Sequence, residues 1–562
     1  MNLIEQVKLE EQAEALFNEG KYIIVQNLCE IILKNKPTNT KANELLAYIV
    51  ANEGNRDYAH CLLEKSCKDI KSSAKANYYL GNSFLFKKNF LRAEYYLNIA
   101  EKKSGGFYEL FYDLGVTNLH LKNKKALEYF KKSLDKNPFS AEAHYGIGTY
   151  YMDCEDINYQ EAIEHYDRAI SIAPEYAEAW MNKGVALSTL KNYQEAIEHY
   201  DRAISIAPEY AEAWANKAAD LVDLRLYTEA EICYKRAITI KKNLYGALWN
   251  KGVLELLLGR FEIGWRLYEN RLNINPIVQT TKSYNSIAPL FESTEDIKKY
   301  TKILVWPEQG YGDIIQFSRY VEKLSNLGAE VTFQVNEKLL PLFENLSYCN
   351  VITTNPELNE FDFQIPVTSL PRVFKTTINS IPDSVPYLTI KKEKISFWKD
   401  KIKPINHKPN VGIAISGNPN QKDNLVRSIP LAKIAPLADL ANLYLLQTDV
   451  LESDEFTLSN NKAIIFLGKT LNSFEDTGAV IENMDLVVSV CTSAVHLSGA
   501  LGKKTILMCR WAPDWRWLLD REDSPWYPTL KIFRQESPGD WNSVITRVSD
   551  EISKLSKLST GL

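Results

Sequence analysis

The stretch NYQEAIEHYDRAISIAPEYAEAW fills residues 158–180 and recurs without a change at 192–214, an offset of 34. Gly184, Ala196, Ala203 and Pro208 fall where two antiparallel helices approach closely and the second one stops, and Gly148, Ala162, Ala169 and Pro174 repeat the pattern one unit earlier. Weaker copies run back through Gly115 to Pro138, through Gly81, Ala93 and Ala100, and through Gly20 to Pro37, and a modified unit follows at 252–271. Each unit is a helix pair that cannot bury its apolar face alone, so neighbours must stack.

Thirty-four residues is the tetratricopeptide period, which predicts an all-α superhelix of seven or eight units over residues 1–275 with a concave groove. A groove of this kind suits a protein partner. Asn182, Asn216 and Asn250 stand two residues before the small position of three successive units. A side-chain amide offers donors and an acceptor together and can hold a peptide backbone without reading its sequence. The three resemble the asparagine ladder in the repeats of eukaryotic O-GlcNAc transferases, which would make them acceptor-binding; each could equally cap or solvate its own helix.

The chain has 562 residues and a formal net charge of −5, with no basic block, which argues against a nucleic-acid partner. Residues 1–12 carry acids and amides where a signal peptide needs an apolar run, and no stretch approaches the length of a transmembrane helix. The eight cysteines are scattered without a C-x-x-C pair and read as reduced thiols of a cytoplasmic protein.

Past Pro276 the period vanishes. Residues 276–300 read as a connector. Apolar, β-rich runs at 303–306 and 330–335 then alternate with helices from Asp313 and Glu337. A second series has runs at 411–415, 443–447, 463–467, 486–490 and 505–509, with helices at 473–483 and 492–501. Two such series predict two Rossmann-like halves, 301–405 and 406–562, facing one cleft, with the chemistry in loops at the carboxyl ends of strands.

Four loops follow such ends. In WPEQGYGD (306–313) the glycines allow a tight turn and Asp313 lands in the first turn of a helix, either as the common complement to the helix dipole or as a general base. In the loop 416–430, Ser416 and Gly417 followed by Arg427 suit a phosphate, with an ordinary polar loop and a surface ion pair as the alternative. In VCTSAVHLSGALG (490–502), Thr492 and Ser493 open a helix whose free N–H groups favour an anion, and His496 follows one turn on. The loop 511–528 holds four tryptophans, read either as a stacking wall for a base or sugar or as packing.

Together with GWRLYENR (264–271) and the Ile381-Pro and Pro386-Tyr-Leu388 segments, these loops resemble bacterial tetratricopeptide-repeat glycosyltransferases whose catalytic part is similar to family 9, the heptosyltransferases. Some flagellin-modifying enzymes share this layout. The resemblance implies a GT-B fold and an inverting, metal-independent transfer from a nucleotide-sugar to a protein acceptor. It makes Asp313 the base, with Gln309, Gly310 and Gly312 on the acceptor side. Ser416, Gly417, Arg427, Gln447, Thr492, Ser493, His496, Trp515 and Arg516 fall on the donor side. No metal or other cofactor is expected, and a homo-oligomer stays open. The sequence departs at Cys491, where heptosyltransferases carry an aspartate. A thiol does not accept sugar hydroxyls as a carboxylate does. That departure keeps two other readings in play: a non-catalytic repeat adaptor, and a transferase acting on lipopolysaccharide or lipid-linked sugar.

Overall fold

The computed structural model describes residues 3–154, 157–354, 356, 360–402, 407–418 and 424–559. The chain divides into two compact units, Met1–Leu221 and Val222–Leu562.

Helices alternate with short turns from Leu3 to Tyr268, and seven antiparallel pairs pack among the described residues. Six pairs, ending with Ala177–Thr189 and Tyr193–Ile206, lie in the first unit. Asparagine or serine opens many of the helices; Asn39, for example, accepts from the backbone N–H of Ala42 at 2.9 Å. The small positions are dictated by contact. A Cβ on Gly148 would fall 2.6 Å from the Tyr166 ring, and one on Gly184 would fall 2.5 Å from Tyr200. The duplicated sequence yields duplicated bonds: Trp180 Nε1 donates to the Pro174 carbonyl at 2.9 Å, and Trp214 Nε1 to Pro208 at 3.0 Å. One expected copy is out of register. Gly20 has φ of +76° and forms the turn between Leu3–Asn18 and Tyr22–Asn35 instead of a packing position inside a helix. The short insertion before the duplicated stretch includes residues 155–156, which lie outside the described residues.

In the second unit the helix Tyr227–Ile240 and the pair Tyr245–Leu257 and Phe261–Tyr268 precede an α/β region. Residues 276–300 are more than a connector. They hold the helix Ile277–Asn285, whose Tyr284 stacks on Trp306 with centroids 4.3 Å apart, and Phe291 donates its N–H to the Gln364 carbonyl.

The first sheet contains β1 (Lys302–Trp306), β2 (Glu330–Gln334), β3 (Asn350–Ile352) and β4 (Phe363–Pro366) in the order β3-β2-β1-β4. The second contains β5 (Asn410–Ala414), β6 (Asn442–Leu445), β7 (Ile464–Phe466), β8 (Leu486–Ser489), β9 (Thr505–Cys509) and β10 (Leu530–Arg534), in the order β10-β9-β8-β5-β6-β7. These strands pair with one another in parallel; Val411 stands opposite Leu443 on one side and Leu486 on the other. Such strands are covered on both faces, which explains their continuous apolar runs. Three strands, β3, β4 and β10, lie outside the expected runs. The helix expected from Glu337 begins only at Leu340 and ends at Phe343.

Candidate functional site

In the second sheet β5 and β8 are neighbours, yet the chain continues outward through β6 in one direction and β9 in the other. The loops that follow them diverge and leave a crevice at the strands' carboxyl ends. A cleft of about 420 Å³ opens there, lined by Ser416 and Gly417 after β5, Gln447 after β6, and Thr492 and Ser493 at the start of the helix Ser493–Ala500. Tyr311 and Lys338 of the first sheet's side and the segment from Leu471 to Thr477 after β7 also line it. Five residues expected on the donor side therefore share one cavity. Gln447 serves it indirectly: its Oε1 accepts from Ile415 N–H at 2.9 Å, and its Nε2 donates to Ser416 Oγ at 2.9 Å and to the Asp449 carbonyl at 3.1 Å. This amide fixes the loops after β5 and β6 to each other.

Arg427 joins the loops after β5 and β8. Its Nη1 donates to the Cys491 carbonyl at 3.0 Å, and its guanidinium lies so close to Gly417 that a Cβ there would be 2.2 Å from Nη2. Any side chain at 417 would thus displace the Arg427 guanidinium from its present place. Residues 419–423 of this loop lie outside the described residues.

A second cluster surrounds Asp313. Gln309, at φ of +65°, turns the chain out of β1, and Asp313 enters the helix Tyr311–Phe317 with its Oδ2 accepting from Gly310 N–H at 3.0 Å. The helix-complement role foreseen for this residue is filled. Its Oδ1 meets Arg516 Nη2 in an ion pair across the two sheets' loops. Arg516 also donates from Nη1 to Asp514 Oδ1 at 2.9 Å and Oδ2 at 3.0 Å, and from Nε to Gln316 Oε1 at 2.8 Å. Burial pushes the Asp313 carboxyl above the usual carboxylate range, with Arg516 opposing that rise. Burial works the same way on Asp514, but Arg516 holds that group below the usual range.

His496 belongs to this cluster, not to the cleft wall. A Cβ on Gly312 would lie 2.8 Å from its Cδ2, its Nδ1 is 2.9 Å from Tyr527 Oη, and its ring stacks on Trp517. Burial, aided by Arg516, lowers its pKa to about 3, so the imidazole is neutral at ordinary pH.

Two donor-side expectations need correction. Trp515 is 3% exposed and packs against Trp265 at 5.3 Å and Phe317 at 6.4 Å, so no ring face is left for a base or sugar. Arg516 spends its donors on Asp313, Asp514 and Gln316 and is 7% exposed. Trp517 and Trp526 are also buried, which makes packing the better account of that loop. At the departing position, Cys491 Sγ accepts from Trp517 Nε1 at 3.2 Å, and burial pushes its thiol up to about 12.

Sequence reasoning passed over one arrangement. Arg271, fully buried, grips Glu308 from Nε at 2.9 Å and from Nη2 at 2.8 Å, and its Nη2 also reaches Thr368 and Ser369 at 2.7 Å. Glu308 precedes Gln309, whose Nε2 donates to Tyr268 Oη at 2.9 Å. The GWRLYENR segment is therefore the anchor of the loop that carries Asp313, and Gln309 is turned toward that anchor. The clue available was the juxtaposition of a terminal-repeat arginine and an acid in a Gly-rich loop.

The asparagines differ from one another. Asn182 Nδ2 donates to Tyr145 Oη of an earlier pair at 2.9 Å, Asn216 Nδ2 approaches Met181 Sδ at 3.5 Å, and Asn250 is exposed. Neither bond caps the residue's own helix.

Residues 177–210 match the tetratricopeptide repeat profile, and 158–191 a second TPR repeat profile. The helix pairs over residues 158–210 are tetratricopeptide repeats. Over 453 residues the chain is 22% identical to Protein FlbA of Caulobacter vibrioides, spanning 76% of this chain and 70% of that protein. Among solved structures, YrrB, described as a TPR protein with an unusual peptide-binding site, is 23% identical over 33% of this chain and 95% of its own, with a TM-score of 0.29. PilF of Pseudomonas aeruginosa is 18% identical over 38% and 96%, with a TM-score of 0.33. Among the described residues no helix is long and apolar enough to cross a membrane.

Proposed function

We propose that the α/β region is a GT-B glycosyltransferase similar to family 9, moving a sugar from a nucleotide-sugar to a hydroxyl of a protein held by the tetratricopeptide repeats. The observation that carries this reading is the cleft at the β5/β8 switch point, whose lining includes Tyr311, two positions before Asp313 in the chain. The helix amides at Thr492 and Ser493 and the loop at Ser416 and Gly417 would receive the diphosphate. The acceptor oxygen attacks the anomeric carbon, its proton passes to Asp313, and the bond from that carbon to the phosphate oxygen breaks to release the nucleotide. Screening nucleotides and nucleotide-sugars by thermal shift is the first test, because a ligand of the native state raises its melting temperature. With a donor in hand, Asp313→Asn is expected to keep donor binding and lower turnover about 10²–10⁴-fold. Undiminished turnover would remove Asp313 from the role of base.

A second reading, a non-catalytic repeat adaptor, draws on Cys491, whose sulfur faces Trp517 where the resembled family has a carboxylate. A protein that captures an acceptor but binds no member of a nucleotide-sugar panel would favour it.

A further inference from the structure

We propose that Arg516 is a positioning residue for Asp313: supplied by the loop after β9, it holds the carboxylate at the end of the first sheet ionised and aimed, and Asp514 sets how strongly it does so. The inference rests on the reading of Asp313 as a base.

The geometry is one of a shared cation. Arg516 Nη2 faces Asp313 Oδ1, while Nη1 is bound by both oxygens of Asp514 and Nε by Gln316 Oε1. Gln316 lies on the same helix as Asp313, one turn on, so the guanidinium plane is fixed at two points on that helix and at one on its own loop. The other Asp313 oxygen is occupied by Gly310 N–H. A bond to Gly310 and a bond to Arg516 together leave the carboxylate one orientation.

The charged and titratable groups near Asp313 are Arg516, Asp514, Glu308, Tyr268 and His496. Asp514 and Glu308 are acids whose charge pushes the Asp313 carboxyl up, and His496 is neutral, so none of them supplies the positive charge a buried carboxylate needs. Arg516 supplies it. Because Asp514 claims half of the guanidinium, the charge left for Asp313 is partial. Burial then wins, in line with the upward shift of this group. A base with an affinity somewhat above that of an ordinary carboxylate suits proton abstraction better than one fully quenched by an arginine.

The arrangement predicts opposite movements from two changes. Arg516→Gln removes the cation and should raise the titration midpoint of Asp313 by about one pH unit or more. Asp514→Asn releases the cation to Asp313 and should lower that midpoint below the parent's. Both are read without turnover, from ¹³C-carboxyl NMR of aspartate-labelled full-length protein, with the Asp313 signal assigned by its loss in Asp313→Asn. Where turnover is measurable, the acid limb of the pH profile should move the same way, and Arg516→Lys should restore part of the shift. Midpoints that stay within a few tenths of the parent, or that move in the same direction in both variants, would overturn the proposal. If Arg516→Gln fails to fold, Asp514→Asn against the parent still decides it: a fall supports the shared cation, and no change or a rise refutes it. These outcomes are separable from failure of the transferase reading, which would show as absent donor binding with the carboxyl shifts intact.

Discussion

The two sheets of the second unit have the same topology at their switch points and opposite uses for it. In the first, β1 lies between β2 and β4, and the loops after β1 and β4 part to leave a crevice. That crevice is filled. Arg271 from the end of the last repeat enters it, with Glu308 on one wall and Thr368 and Ser369 on the other. In the second sheet the equivalent crevice between the loops after β5 and β8 stays open, with a volume of about 420 Å³. A parallel sheet thus generates the crevice as a consequence of chain direction, and the side chains delivered to it decide between an anchor and a binding site. The anchored crevice steadies the loop that bears Asp313; the open one leaves room for a ligand.

The largest expected effect breaks the anchor. Arg271→Ala leaves Glu308 buried and charged without its partner, at a cost of about 3–5 kcal/mol. The loss should appear as a lowered denaturant midpoint. The double variant Arg271→Met with Glu308→Gln should recover much of it, because the buried Glu308 charge is then gone and Glu269, which also pairs with Arg271, keeps Arg372. If the single variant costs under about 1 kcal/mol, the network is not the anchor described.

Acid should weaken both units, through different histidines. His496 in the second unit is depressed to about 3 and His165 in the first to about 4, each mainly by burial. Both bind more protons unfolded than folded between those values and about 6.5, their unperturbed value. Their contribution is therefore complete above that pH and is lost as the pH falls through the window, with a slope of about 1.4 kcal/mol per pH unit for a fully buried group such as His496. Urea titrations of the parent and of a His165→Asn variant across pH 7 to 4.5 would check the direction; stability rising with acid would contradict it. The His165 share should be smaller, since that ring is only half-buried and lies 3.1 Å from His144.

In the open crevice the expected changes are smaller and fall on ligand affinity. Gly417→Ala forces Arg427 away from the Cys491 carbonyl, because the new methyl would overlap its guanidinium. Nucleotide binding by calorimetry should weaken about tenfold, equivalent to about 1.4 kcal/mol, with a shift in melting temperature of only a few degrees. The reverse pattern, intact binding with a large loss of stability, would make Arg427 a structural tie alone.

These contrasts also explain what the amino-acid sequence discloses. The repeats are written in an interval: Gly148 meets Tyr166 and Gly184 meets Tyr200, partners 18 and 16 positions apart, so the packing shows as periodicity. Strands β1, β5, β8 and β9 announce themselves as apolar runs buried on both faces. β3, with three residues, and β4, ending in proline, do not. The loops of the open crevice are recognisable because each stands directly after such a run. What stays hidden is pairing over long separations. Asp313 and Arg516 are 203 positions apart, and Arg271 and Glu308 belong to different structural classes of segment. Trp515 and Arg516 fall on the donor side through the resemblance, while the tryptophans by themselves read equally as a stacking wall or as packing; the fold decides for packing, with the loop's polar groups satisfying one another.

The smallest effect tests whether the repeat groove holds its partner through amides. Asn182 and Asn216 occupy equivalent places just beyond the duplicated stretches, yet only Asn182 finds a strong acceptor, the Tyr145 hydroxyl at 2.9 Å; Asn216 meets a thioether at 3.5 Å. A sulfur is a weak acceptor, so the Asn216 amide is readily redirected toward a peptide carbonyl, whereas Asn182 must first give up a bond. Replacing Asn182 by Ala should therefore cost about 0.5–1.5 kcal/mol of stability by removing one hydrogen bond, with a modest loss of acceptor affinity. Asn216→Ala should leave stability nearly unchanged and weaken acceptor capture more than Asn182→Ala does. Pull-down with the full chain would first identify a protein acceptor, and calorimetry on both variants would then rank them. Equal affinities for parent, Asn182→Ala and Asn216→Ala would show that the amides solvate the helices, and the groove would have to hold its partner by other side chains.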